Sequence, residues 1–233
     1  MNALILLQSA VQNATSPVQE LVGQTEKTLP YGELAMKGGW IMIPILLLSL
    51  VAVFIFVDRY IAVRAAIRTD QSFMNRIRDY IHDGKIEAAT ALCQDHNTPV
   101  ARMIEKGIAR IGRPLQDINT AIENVGRVEV AKLEKGTPWL AMVSGGAPML
   151  GFLGTVTGMI QAFFDMAQAG SSVDIQILSS GIYEAMVTTV AGLIVGIIGY
   201  FAYNILVAKI EQVVNMLESS TMEFMDLLNE PLK

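Results

Sequence analysis

Charged side chains are scarce in this sequence of 233 residues. Asp, Glu, Lys and Arg together make up only 17% of it, whereas about a quarter is usual for a soluble domain. Hydrophobic residues make up 52%, and the mean hydropathy is +0.43. Because the deficit of charge is concentrated in a few long stretches, the composition predicts an integral membrane protein.

Cysteine and histidine are also rare, and there is no excess of positive charge. Each of these features excludes a class of protein. The single cysteine, Cys93, rules out a disulfide framework within one chain, and we expect a reduced, inert thiol. The net charge of −5 leaves no basic surface for nucleic acid. The two histidines, His82 and His96, lie outside the long apolar stretches, so an intramembrane hydrolase lacks its base. We find no metal, phosphate-loop or nucleophile motif, and we expect neither a cofactor nor an enzyme.

Three apolar stretches are each long enough to cross a bilayer as a helix: residues 38–57, 136–164 and 179–208. The first two carry no charge, and the third is uncharged after Glu184. The sequence therefore predicts an all-α integral membrane protein with three transmembrane helices and long cytoplasmic helical extensions.

The distribution of basic residues predicts the orientation of these spans. Residues 58–135 hold 13 of the 17 Lys and Arg residues, whereas residues 165–178 hold two Asp and no basic residue. Because basic loops stay in the cytoplasm, we place the 58–135 region inside and the 165–178 loop outside. The N-terminal segment 1–37 then lies outside, and the C-terminal helix 209–233 lies inside.

The start of the chain resembles a signal peptide only in part. It lacks a positive region, and its apolar run from Ala3 to Leu7 is shorter than a signal sequence requires. We interpret it as a short helix on the membrane surface, with a cleaved signal peptide as the alternative.

The charged regions have helical periodicity, and we expect their apolar faces to pack into one bundle. In the first region, with Gly84 as its stop, the spaced residues are Ile61, Ala65, Ile67, Phe73, Ile77 and Ile81. A second helix starts at Thr98-Pro99 and ends at Gly112. A third, which we expect to continue into the second span as one helix, carries Ile118, Ile122, Val125, Val128 and Leu133 on one side. The tail repeats the pattern with Ile210, Val213, Val214, Leu217, Met222, Met225 and Leu228.

Small residues recur on the second and third spans at intervals of four, which lets helix backbones approach closely in lipid. On the third span, Glu184, Thr188, Gly192 and Gly196 form one stripe. On the second span, Ala147, Gly151 and Thr155 share a face, and Gly154 shares a face with Gly158. Ordinary helix packing explains most of these glycines.

Two threonines are expected at the same depth. Thr155 lies nine residues before Phe164 at the end of span two, and Thr189 lies nine residues after Ser180 at the start of span three. In antiparallel neighbours, their hydroxyls and the Glu184 carboxylate could form a polar belt that faces a pore. The alternatives are a threonine that bonds to its own helix backbone and a glutamate that is an interfacial anchor.

The sequence resembles the MotA/TolQ/ExbB proton-channel family, in its ExbB/TolQ branch. Span two has "APMLGFLGTVTGMIQAF", with Pro148 ahead of a Gly-Thr-Val core, and span three has "GIYEAMVTTVAGL". The resemblance covers most of the chain beyond about residue 36. Flagellar MotA stators have four spans, so the chain departs from that branch. Thr157 and Thr188 also depart, since an aromatic and a small apolar residue are common there.

The resemblance implies a function and a set of partners. Five copies would form a ring around the single-span helices of ExbD/TolR-like partners, with a TonB/TolA-like protein further out, in the inner membrane of a bacterium. Thr155 and Thr189 would line the pore, with Thr188 beside them, and face a partner aspartate that takes and releases the proton. Glu184 would act at subunit contacts or in the proton route. The packing residues would be Pro148, Gly151, Gly154, Gly158, Gly192 and Gly196.

Two other classes of membrane protein are alternatives to a proton channel. A secondary transporter would need more helices and discontinuous segments near the midplane, and three spans argue against it. A non-conducting structural scaffold in the membrane remains the alternative to a proton channel.

Overall fold

The computed structural model describes residues 38–67, 71–168 and 175–229, and all regular structure in these ranges is α-helical. The N-terminal segment, with its predicted surface helix or signal peptide, lies outside the described residues, as does part of the predicted 165–178 loop. Within the described ranges the helices are α1 (Met42–Ile67), α2 (Gln71–His82), α3 (Ile86–His96), α4 (Pro99–Ile108), α5 (Leu115–Glu134), α6 (Thr137–Gln168) and α7 (Ile175–Asn229).

Three of these helices, α1, α6 and α7, are long and apolar enough to cross a membrane. They cover the predicted spans from residues 42, 137 and 179 onwards, and each helix continues beyond the predicted end of its span. Helix α1 extends ten residues past Val57, and the 55 residues of α7 join the third span to the tail without a break. The third span and the C-terminal helix are therefore one continuous helix.

The continuity predicted between the third charged helix and span two is wrong. The chain leaves helical geometry at Lys135, and Gly136 has φ +93°, a left-handed conformation that glycine adopts readily. Arg59, two residues after the predicted end of the first span, donates a hydrogen bond from Nη1 to the carbonyl of Lys132 at 3.0 Å. A carbonyl in the last turn of α5 is thereby satisfied from another helix.

The predicted helix start at Thr98 and stop at Gly84 agree with the structure, whereas α4 ends at Ile108, four residues before the predicted end at Gly112. The Thr98 hydroxyl accepts a hydrogen bond from the Ala101 amide, and Pro99 occupies the first helical turn of α4. Gly84 and Gly112 both have positive φ, at +71° and +93°. These glycines let the chain reverse between short helices, so that α2 to α5 stack beside the tail of α7.

The helical bundle consists of α2 to α5, the end of α1 and the second half of α7. Its centre is apolar and includes Phe73, Ile77, Val100, Ile104, Ile118, Ile122, Val213 and Phe224, all of them fully buried. Four residues expected on buried faces are instead exposed, namely Ile61, Ala65, Val128 and Met222. At the end of α1 the buried positions are Val63 and Ala66, because the α7 tail covers that side of the helix.

A buried carboxylate connects two helices of the bundle. Glu129 on α5 accepts hydrogen bonds from the Arg102 guanidinium of α4 and from Lys132 Nζ, the latter at 2.6 Å. Burial by itself would raise the pKa of Glu129, but these two cations outweigh it and lower the pKa. Glu129 therefore remains ionised and holds α4 against α5.

Candidate functional site

The two helices α6 and α7 touch through their backbones. A Cβ atom added to Gly192 would lie 2.5 Å from the carbonyl oxygen of Ala147, and one added to Gly151 would lie 2.9 Å from the Thr188 carbonyl. Real Cβ atoms do not approach this closely, so both positions require glycine. The glycine stripes predicted to pack helices do form this contact.

The antiparallel register of α6 and α7 follows from four further close contacts. Gly158 lies against Ala185, and Gly181 lies against Ala162. Nearer the bundle, Gly196 lies against Pro148, and Gly199 lies against Ser144. In this register Thr155 stands opposite residues 188–189, and the expected common depth of Thr155 and Thr189 agrees with the structure.

The two threonines lie at the edge of the helix contact and are half-buried. The Thr189 hydroxyl donates to the carbonyl of Gly151 at 3.0 Å, across the interface. The Thr155 hydroxyl donates to the carbonyl of Phe152 at 2.7 Å, within its own helix. A hydroxyl that donates to a carbonyl keeps its oxygen lone pairs free. Both side chains can therefore accept a hydrogen bond from a water or a protonated carboxyl.

Thr188 takes a different position from the one expected. Its side chain is 2% exposed and packs into the space above Gly154. Its hydroxyl donates to Ala185 at 2.7 Å, and Gly151 is at 3.4 Å. The structure thus places Thr188 inside the contact between α6 and α7, rather than on a face that could line a pore.

Glu184 lies near the opposite end of α7 from the bundle and is exposed. Its carboxylate occupies the space that a side chain at position 39 would need, and Gly39 itself has φ +63°. Glycine at position 39 is therefore required twice, by its backbone conformation and by the nearby carboxylate. The contact joins the start of the first span to the third.

A polar cavity of 330 Å³ opens beside this carboxylate. Besides Glu184 and Thr188 it is lined by Thr157, Gln161 and Asp165 of α6. Gln161 Nε2 donates to Asp165 Oδ1 at 2.9 Å. Neither Gln161 nor Asp165 had a role predicted from the sequence. Their separation of four residues was a usable signal, since side chains so spaced share a helix face.

Groups of His, Cys, Asp and Glu that could hold a metal ion do not occur among the described residues. The two carboxylates of the cavity lie on different helices, and the remaining polar groups are hydroxyls and amides. Such a set of groups can bind water and relay protons. The expected lack of a cofactor stays a prediction.

Large apolar side chains cover the outer faces of α6 and α7. The most exposed are Met149, Phe152, Ile160, Met186 and Phe201, each more than 60% accessible. A face of this size is stable only against lipid or against another protein chain. The outer faces of the two helices are therefore available to lipid or to neighbouring chains.

A known protein family matches more than half of this chain. The profile of the MotA/TolQ/ExbB proton channel family matches residues 95–219. This range runs from the end of α3 through α6 and well into α7, so it includes both threonines and Glu184.

Three relatives illustrate the similarity. An ExbB-like biopolymer transport protein of Synechocystis sp. is 30% identical over 176 residues, which are 74% of this chain and 69% of that protein. The Tol-Pal system protein TolQ of Pseudomonas aeruginosa is 28% identical over 206 residues, 81% of this chain and 88% of TolQ. The biopolymer transport protein ExbB of Xanthomonas campestris pv. campestris is 34% identical over 87 residues, 37% of this chain and 34% of that protein. The chain belongs to the MotA/TolQ/ExbB proton channel family, in its ExbB/TolQ branch.

Proposed function

We propose that this chain is the ring-forming subunit of an inner-membrane motor that couples the proton motive force to work in the periplasm or at the outer membrane. Five copies surround a pore that holds the helices of a single-span ExbD/TolR-like partner. A TonB/TolA-like protein receives the work. The N-terminus lies in the periplasm, and the 58–135 region and the tail lie in the cytoplasm.

One observation carries this proposal: Thr155 and Thr189 lie at the same depth, on two helices whose outer faces are apolar and unpaired. Elsewhere in the contact between α6 and α7, glycine and alanine predominate. The threonine oxygens are the polar groups that a partner carboxylate would meet at this level. A scaffold needs no such pair on an exposed edge.

The chemistry follows from the cost of charge in a low-dielectric pore. The threonine oxygens can accept a hydrogen bond from a protonated partner carboxyl, whereas the ionised form depends on water, and protonation removes its charge. The preferred position of the partner helix relative to the ring then changes, and rotation of ring against partner is the motion that we propose. The membrane potential supplies about 2.3 kcal/mol for each charge per 100 mV.

Glu184 and its cavity are proposed to form the proton route at the end of the spans remote from the bundle. The cavity contains a second carboxylate, Asp165, and a Gln-Asp hydrogen bond that can orient water. It lies on the periplasmic side in the proposed orientation. Thr188, buried between the helices, contributes packing to this route rather than a hydroxyl facing the pore.

The test is proton flux in liposomes that contain the chain alone or with its single-span partner. We expect flux that depends on the partner and on Thr155, Thr189 and Glu184. A stable complex that conducts no protons under a membrane potential would instead support the non-conducting scaffold. Cysteine labelling from outside the cell tests the orientation, which is wrong if residues 71–130 are accessible there.

A further inference from the structure

A second polar cavity, of 590 Å³, lies at the end of α6 and α7 that adjoins the bundle. Its polar lining comes from Glu134 at the end of α5, Thr137 at the start of α6, and Tyr203 and Glu211 of α7. These four residues have no part in the proton route proposed above. The cavity is open to the surface beside the break at Gly136.

This cavity lies on the same face of the two helices as the paired threonines. Thr137 precedes Thr155 by 18 residues, and Val207, which also lines the cavity, follows Thr189 by 18 residues. Eighteen residues make about five turns and about 27 Å of an α-helix. The face that carries the hydroxyl pair therefore leads directly to this cavity, and Glu211 stands about one turn beyond Val207.

The cavity contains an unsatisfied polar group. Thr137 is 5% exposed, and its hydroxyl has no hydrogen-bond partner among the described residues. A buried hydroxyl without a partner costs about 1 to 3 kcal/mol. A group from outside the chain, such as a water or a hydrated ion, would remove this cost.

The charge of the cavity selects the kind of ion. Both ionisable carboxylates in its lining, Glu134 and Glu211, are exposed, and the lining includes no Lys or Arg. Lys135, which follows Glu134, lines a different pocket beside Trp139. Two further neighbouring cations are also directed elsewhere. Lys132 Nζ binds Glu129 at 2.6 Å, and Lys209 Nζ lies 5.7 Å from the centre of the Tyr60 ring.

We propose that this cavity is a binding site for a hydrated monovalent cation, hydronium or an alkali metal ion, at the bundle end of the ion pathway. The carboxylates of Glu134 and Glu211 concentrate cations there, and the Thr137 hydroxyl binds the water that hydrates them. The inference rests on the proposed channel function. In a ring of copies the sites form a circle of negative charge where ions leave the pore.

The experiment uses the full chain in complex with its single-span partner, in liposomes under an imposed potential. The double variant Glu134→Gln, Glu211→Gln should lower proton flux about threefold to tenfold at about 0.01 M salt, and the deficit should shrink at about 1 M salt, where charges are screened. Glu87→Gln, which removes an exposed carboxylate from α3, is the matched control and should leave flux unchanged.

A second pair of variants tests the hydroxyl. Thr137→Val should lower flux about twofold or more without lowering the thermal stability of the complex, because the hydroxyl binds nothing in the chain. Thr137→Ser should retain wild-type flux. A purely structural role would reverse this pattern, with stability lost and flux per folded complex unchanged.

The outcomes separate this inference from the function on which it rests. A wild-type complex without proton flux contradicts the channel itself. If the wild type conducts protons and the double glutamine variant has the same flux at low salt, the cation site alone is overturned. Replacing Na⁺ by choline distinguishes the two ions, since flux that persists belongs to hydronium and flux that falls belongs to the alkali metal ion.

Discussion

The Thr189 hydroxyl donates a hydrogen bond to the Gly151 carbonyl at 3.0 Å, from the third span to the second. This bond fixes the side chain of Thr189 at the edge of the helix contact, at the level of Thr155. The bond is possible because Gly151 has no side chain, so that the two backbones lie in direct contact. The polar pair and the glycine packing are thus parts of one arrangement, and each can be tested separately.

The double variant Thr155→Val, Thr189→Val should abolish most proton-driven function while the complex still assembles. The change keeps the volume of each side chain but removes both hydroxyl oxygens, and a membrane hydrogen bond contributes only about 0.6 kcal/mol to stability. Activity driven by the proton motive force in cells, with a pull-down of the partner, measures the two effects. Thr188→Val is the control, and an equal loss in it would contradict the role given to the pair.

Glu184→Gln should reduce proton flux and leave the fold intact, since the amide occupies the same space beside Gly39 without the charge. Gly39→Ala should also reduce flux, because the added Cβ needs the space of the carboxylate and the backbone has a positive φ. Liposome flux assays on both variants measure this. If the Glu184→Gln variant has wild-type flux, Glu184 is an interfacial anchor and not part of the proton route.

Gly192→Ala should destabilise the contact between α6 and α7 by about 1 to 3 kcal/mol, because its Cβ would overlap the Ala147 carbonyl. Gly145→Ala is a matched control in span two, since a Cβ there meets nothing within 4 Å. Thermal unfolding in mild detergent should separate the two variants clearly. If they unfold at the same temperature, the tight approach of the helices is not important for stability.

The stability of the bundle should depend on pH through Glu129. Its pKa is below the ordinary value of 4.5 in the folded chain, so its contribution is fully present above that pH and is lost as the pH falls through the lowered value. Glu129→Gln should cost about 1 to 3 kcal/mol at neutral pH, and this deficit should shrink in acid. Denaturant unfolding at several pH values measures it, with the exposed Glu123→Gln, near neutral in effect, as control. A deficit that stays constant into acid would contradict the ionised role.

Cys93 should resist thiol reagents in the folded chain. Burial, and to a lesser degree the charge of Glu105, raises its pKa to about 12, and the residue is 1% exposed. At about pH 8 the reactive thiolate is therefore almost absent. Maleimide labelling followed by mass spectrometry should modify the cysteine only after denaturation. A cysteine placed at the exposed Ser219 should react in the folded state, and rapid labelling of Cys93 itself would contradict the buried core.

The sequence by itself determined the membrane spans, the helical class and the candidate polar residues. Long uncharged stretches are typical of membrane spans, and the depth of Thr155 and Thr189 follows from counting residues from each helix end, because helical rise is constant. Glycines at intervals of four indicated a close contact, because small residues at this spacing let two membrane helices approach closely. The recognition of the family came from the same residues.

The tertiary structure alone decided which side of each helix is covered. Thr188 and Thr189 are adjacent in sequence, yet one is buried against Gly154 and the other lies at the edge, a difference of about 100° around the helix. Periodicity shows that a face exists but not what covers it, so Ile61 and Val128 were placed on the wrong side. The contact of Glu184 with Gly39 and the cavity at Thr137 join segments distant in sequence, and only their packing brings them together.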